Sequence, residues 1–169
     1  MDNLIIADTG PVIALASINR LDLFRELSKQ VCVPKTVVRE LLAKVGKEAD
    51  IIDAALSSFM ASCDKPEQAD HDNINPIIKA LGAGERDVIA KAYYAKKQTI
   101  VVIDDKAART IAKKLQLNVT GTIGILLKAN ERNLLKDDLA DSLYSIRQNG
   151  YYLSDRIIEL ACKIAGEKE

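Results

Sequence analysis

Two apolar runs that stop on carboxylates constrain this chain more than any other feature. Leu4 to Ala7 runs into Asp8, and Thr99 to Ile103 runs into the pair Asp104 and Asp105. Short runs rich in Ile and Val, bounded by polar or turn residues, are the pattern of central strands buried on both faces of a parallel sheet. Burying a charge is expensive, so an acid at the end of such a strand needs a compensating reason. In open parallel sheets, ligands sit beyond the carboxyl ends of the strands, and the helix after each strand starts at that same edge. Asp8 and the Asp104/Asp105 pair are therefore expected to converge on one side of one sheet.

The rest of the chain alternates in kind. Shorter strand candidates are Val31 to Val33, closed by Pro34, and Asn118 to Val119, closed by Thr120 and Gly121. Helical patterns cover Leu21 to Leu27, Lys35 to Ala43, Ala49 to Ser62, Glu85 to Lys97 and Lys106 to Leu115. That alternation predicts an α/β fold with a central, mainly parallel sheet, Asp8 and Asp104 ending neighbouring strands. The polar stretch from Asp64 to Pro76 carries two prolines and reads as a loop or a short edge element. After Gly121 the pattern is helical, broken near Asn133 and at "NGYYLSD", with Ser154 as N-cap of a last helix through Ala165. With 169 residues, the chain has the length of one domain. We read a core over about 1–132 and a helical C-terminal extension over about 133–169.

Composition narrows the function. Apolar residues at 48 % and charged residues at 28 % describe a globular protein. No apolar stretch reaches the roughly 18 residues of a membrane span, and no signal-peptide pattern opens the chain, so the expectation is a cytoplasmic protein away from the membrane. Formal net charge is zero, which argues against indiscriminate coating of nucleic acid. From Lys106 to Asn130, however, the chain carries Lys106, Arg109, Lys113, Lys114 and Lys128 and no acid. That run is a solvated helix face or a phosphate-binding rim. Cys32, Cys63 and Cys162 are far apart and odd in number, and they are expected to be reduced, mostly core thiols outside any disulfide or zinc site. His71, the only histidine, stands in the polar stretch without a nearby ligand partner, which removes serine- and cysteine-histidine chemistry. The tyrosines are not interleaved with basic residues as a base-stacking surface would be, and "GAG" at 82–84 reads as a helix-start turn.

Two further acids deserve weighing beside the strand ends. Glu85 precedes Val88, Ile89 and Ala92 by three, four and seven positions, on the inward stripe of its helix. It either answers to the positive end of the helix dipole or belongs to a site. Glu40, in "VPKTVVRELLAK", flanks the stripe of Val37, Val38, Leu41 and Leu42 and is by itself an ordinary solvated glutamate. Acids gathered at one sheet edge raise one another's pKa unless a cation separates them. Oxygen-rich clusters of this type suit Mg²⁺ or Mn²⁺.

The blocks "IIADTGPVIAL", "VPKTVVREL", "LGAGERDVIAKA" and "VVIDDKAARTIAKKLQLNVTGTIGILLKA" resemble, in that order, those of PIN-domain proteins. They are most similar to a bacterial and archaeal subfamily related to VapC-type toxins. The resemblance covers about residues 3–166. It implies a three-layer, Rossmannoid PIN-like fold and a Mg²⁺- or Mn²⁺-dependent endoribonuclease acting on single-stranded RNA and leaving 5′-phosphate and 3′-hydroxyl ends. It implies Asp8, Glu40, Glu85 and Asp104 as catalytic metal-binding acids, with Asp105 adjacent. At the doublet, Asp104 is the expected main ligand and Asp105 a helix-start or supporting acid, because adjacent residues of a strand face opposite ways. Thr9 matches the family's hydroxyl residue beside the first acid, and Lys106 and Arg109 are candidates for holding the RNA backbone. The toxin resemblance also implies a small antitoxin encoded nearby and a homodimer. A processing nuclease would lack the antitoxin, and a PIN-like scaffold for RNA or protein would lack the acids. Haloacid dehalogenase-type phosphatases want a second Asp where this chain has Gly10, and receiver domains want their acid pair after the first strand.

Overall fold

In the computed structural model, which describes residues 3–43, 46–64, 74–95 and 98–166, the apolar runs become a five-stranded sheet. Its strands are β1 (Leu4–Ala7), β2 (Gln30–Pro34), β3 (Met60–Cys63), β4 (Thr99–Val102) and β5 (Asn118–Thr120). They lie in the order β3-β2-β1-β4-β5, and every neighbouring pair is parallel. The chain winds outward from β1 in both directions, so the switch in winding falls between β1 and β4, where such sheets open a crevice. Ile5, Ile6, Ala7, Val101 and Val102 have no exposed surface. Ala7 pairs with Val102, and the Asp8 N–H donates to the Val102 carbonyl at 3.0 Å. The two central strands thus end level with each other.

The flanking helices are α1 (Thr9–Ser17), α2 (Asp22–Leu27), α3 (Lys35–Ala43), α4 (Ala49–Leu56), α5 (Asn75–Ile78), α6 (Ala83–Tyr94), α7 (Lys106–Lys114), α8 (Thr122–Glu131), α9 (Leu139–Gln148) and α10 (Asp155–Gly166). Helix α1 begins immediately after Asp8, with Pro11 in its first turn, where a missing N–H costs no hydrogen bond. It is apolar nearly all round, as a helix enclosed by others must be: it packs against α3, α4, α8 and α9. Helix α6 lies across β1, β2 and β4 with Val88 and Ile89 fully buried. Past α8, Asn133 takes a left-handed φ of 57°, a conformation Asn tolerates better than most residues, and the chain turns there as the sequence suggests. Leu139, Leu143, Ile146, Leu153, Ile158 and Ala161 of the C-terminal segment belong to the same buried cluster as the sheet residues. Ser154 accepts the Ile157 N–H at 3.2 Å and caps α10.

Two expectations need correction. The stretch Ala49 to Ser62 is helical only through Leu56; it turns at 57–59 and continues as the edge strand β3. Met60 is buried while Ala61 and Ser62 are exposed, so this strand has neither an apolar run nor clean alternation, and its pairing with β2 decides its state. The thiols are the second correction. Cys32 and Cys63 form a disulfide with Cα atoms 5.8 Å apart, and Cys162 alone is free. The separation of 31 residues concealed a pair that the adjacency of β2 and β3 brings together. His71 and most of the predicted polar loop lie outside the described residues.

Closing a loop of this size stabilises a fold by about 2–4 kcal/mol. Urea unfolding of Cys32→Ser/Cys63→Ser should therefore show a lowered midpoint, matched by wild type under a phosphine reductant. Equal midpoints for oxidised wild type, reduced wild type and the double variant would contradict the bond's role.

Candidate functional site

Asp8 is fixed before its side chain is considered. Its backbone is extended and its N–H is held by β4, so the residue is at once the end of β1 and the N-cap of α1. Only 8 % of it is exposed. Burial pushes its pKa up to about 6; the Thr9 N–H pulls it back, and Glu85, Glu40 and Asp104 push it up further. The three carboxylates that act on Asp8 come from three other segments of the chain: α3, α6 and the residues after β4.

Strand β2 ends on Pro34 and passes without a linker into α3, which carries Glu40. The Thr9 hydroxyl donates to Glu40 Oε2 at 2.6 Å, so the residue after the first acid orients the second. Glu85, in the first turn of α6, accepts the Gly82 N–H at 3.0 Å. The two readings of Glu85 coexist: it caps its helix, and its charge also falls on Asp8. Asp104 stands two residues beyond β4. The Thr122 N–H donates to its Oδ1 at 2.7 Å and the Thr122 hydroxyl to its Oδ2 at 2.6 Å. Asp105 is exposed and serves as N-cap of α7, accepting the Ala108 N–H at 2.8 Å. Lys106 opens α7 at the surface, whereas Arg109 is half-buried.

Several contributors escaped the sequence reading. Thr122 is 1 % exposed; its place just after a strand and a glycine was the available signal. A Cβ on Gly121 would stand 2.7 Å from Asp104 Oδ1 and 3.2 Å from an Arg109 nitrogen, and one on Gly84 would stand 2.9 Å from Glu40 Oε1. Both positions need the absence of a side chain for close approach, so the middle of "LGAGE" does more than start a helix. Tyr151, from the turn between α9 and α10, packs partly buried on the core; burial and the nearby Asp104 carboxylate raise its pKa. Nothing in sequence distance pointed to it. Buried Asp87 receives the Thr36 hydroxyl, which ties α6 to α3 beside Glu40.

None of Asp8, Glu40, Glu85 or Asp104 makes a salt bridge among the described residues. Their hydrogen-bond donors are neutral: two threonine hydroxyls and backbone N–H groups. Nor, among the described residues, do three or more His, Cys, Asp or Glu side chains stand close enough together to hold a metal ion as they are placed. Glu40, Glu85 and Asp104 give oxygens to protein donors, but each carboxylate retains further lone pairs. The donor set is all oxygen, anionic and partly buried, which fits a hard divalent cation completed by water.

A family model described as a PIN domain matches residues 4–167. No curated protein matches the chain.

The Asp8 environment has a consequence for pH. Asp8 titrates at 3.8 in the reference state and at about 6 in the fold, so between those values the native chain holds a proton that the unfolded chain has lost. The stability contribution of this residue is greatest below the window and falls as pH rises through about 6, by about 3 kcal/mol in all. In metal-free buffer, Asp8→Asn should therefore gain on wild type as pH goes from 4 to 7. A stability difference that stays constant across this range would contradict the raised titration of Asp8, which burial chiefly causes.

Proposed function

The chain belongs to the PIN-domain family, whose members are generally nucleases that use divalent metals, and from that premise we propose that it is an endoribonuclease dependent on Mg²⁺ or Mn²⁺. The observation that carries this reading is a buried Asp8 on which Glu40, Glu85 and Asp104 each bring charge to bear, with no salt bridge to any of the four among the described residues. Asp8, Glu40, Glu85 and Asp104 would hold the ion, with Asp105 at the rim through its position beside Asp104. When bound, the ion supplies Lewis acidity toward the scissile phosphate and relieves the repulsion among the acids.

The chain's own groups have separable tasks. Strand β1 presents Asp8 rigidly; Thr9 sets the Glu40 carboxylate; Thr122 sets that of Asp104. Arg109 stands beside the Asp104 end of the cluster, and Lys106 lies at the surface of the same helix. Both are placed to hold the RNA backbone by its phosphates, a salt-sensitive contact. The product ends are 5′-phosphate and 3′-hydroxyl.

Residues 1–169 form one nuclease unit in this proposal, since the C-terminal helices share the central core. The biological role we propose is that of a VapBC-like toxin, working in the cytoplasm as a homodimer and restrained by a small antitoxin that covers the acidic edge. The four sequence blocks support this role, and no helix among the described residues is long and apolar enough to cross a membrane.

Purified protein should cleave single-stranded RNA with Mn²⁺ or Mg²⁺ and stop in EDTA. Altering groups that merely support a metal's ligands costs 10–100-fold, so Asp8→Asn should lose at least about 100-fold while remaining folded by circular dichroism. Cleavage by a folded Asp8→Asn at the wild-type rate, or cleavage indifferent to EDTA, would overturn the assignment.

A further inference from the structure

At the end of α1 remote from Asp8, a cavity of about 520 Å³ lies between the last residues of α1, the start of α4 and one face of α9. Ala16, on its wall, stands about 12 Å along the helix from Asp8 by the rise of an α-helix, so the cavity is separate from the acid cluster. Its size is that of a small-molecule site, about 300–1,000 Å³. The Asn149 amide, also on the wall, donates to the Ser17 carbonyl at 2.9 Å and ties α9 to α1.

Two buried groups on this wall have unused donors. Arg20 is 8 % exposed. Its Nε donates to Asp22 Oδ1 at 3.0 Å, and its Nη2 donates to Asp22 Oδ2 at 3.3 Å and to the Leu134 carbonyl at 2.7 Å. A guanidinium has five N–H groups, so both on Nη1 are without a partner among the described residues. Ser142 is likewise 8 % exposed, and its hydroxyl has no partner among the described residues. Neither atom is sealed in protein, because the sealed, partnerless side-chain atoms among the described residues belong to Asn3 and Tyr94. Both residues line the cavity, which is therefore the space these donors face. The exposed Lys47 and Lys136 add two ammonium groups, against Glu48 and Asp137 on the same lining. None of these four makes a salt bridge among the described residues. Helix α4 starts here without a side-chain cap and adds the positive end of its dipole.

We propose that this cavity binds a small phosphate monoester, with the phosphate against Arg20 Nη1 and Ser142. A phosphate offers three terminal oxygens to these convergent donors, and guanidinium groups suit it in geometry and charge. The inference goes beyond the nuclease reading and does not depend on a metal. The same group occurs on a free mononucleotide and at the 5′ end of an RNA. The experiment is a calorimetric titration of the full-length protein in EDTA, which removes metal-mediated binding at the acid cluster, with adenosine 5′-monophosphate, adenosine and a 5′-phosphorylated RNA tetramer as probes. A phosphorylated probe should bind one-to-one, and adenosine at least about 10-fold more weakly. Preference for the monophosphate over the tetramer makes the ligand a free nucleotide and the reverse makes it an RNA end; either result upholds the site. Arg20 is left intact because it also holds Asp22 and Leu134. Ser142→Ala should weaken binding about 10-fold and Lys136→Ala about 3-fold, with ligand-free melting temperatures within about 3 °C of wild type. No binding of either phosphorylated probe, adenosine binding as tightly as its monophosphate, or wild-type affinity in both variants overturns the proposal.

Discussion

The burial of one carboxylate, Asp8, with three further acids acting on it, organises this structure. Asp8 is nearly sealed from solvent at the point where β1 becomes α1, and Glu40, Glu85 and Asp104 each bring a negative charge to bear on it. A fold selected for stability alone would place an apolar residue there, or pair the acid with a basic one. The surrounding architecture instead converges on this point. Strands β1 and β4 end in register, α1 starts without a loop, β2 runs straight into α3, and α6 begins with Glu85 already in its first turn.

The contrast with acids elsewhere in the chain is instructive. Asp22 pairs with Arg20, Asp64 with Lys35, Glu131 with Lys128 and Asp155 with Arg147. At the sheet edge, the donors are threonine hydroxyls and backbone N–H groups, which orient a carboxylate without neutralising it. The protein fixes the directions of these carboxylates, and no salt bridge among the described residues balances their charge. Gly84 and Gly121 serve the same end by leaving room for the Glu40 and Asp104 carboxylates, where any Cβ would displace them.

What could be read from the sequence follows from the range of the forces involved. The strand runs ending on Asp8 and Asp104 are strong local signals, because central strands of a parallel sheet are apolar on both faces. The inward position of Glu85 came from helix periodicity, which is also local. Strand β3 was lost because an edge strand with one buried residue owes its state to a neighbour 29 residues earlier, Val31 pairing with Met60. The Cys32–Cys63 bond was lost for the same reason, since it depends on that pairing. Thr122 was one residue past a recognised strand-ending glycine, so its place at the start of a helix was legible although its target, Asp104, was not. Tyr151 depends on how α9 and α10 pack against α8, a tertiary fact without a local counterpart.

On the reading proposed above, the acids at the carboxyl edge form one cation site whose charge no salt bridge among the described residues balances. Anomalous diffraction from crystals grown or soaked with Mn²⁺ tests it most directly, because the signal locates the ion without reference to activity. An anomalous peak ligated by Asp8 together with at least one of Glu40, Glu85 and Asp104 is the expected result. A fully soaked crystal with no peak at that edge, or with its strongest peak at acids elsewhere on the surface, would contradict it.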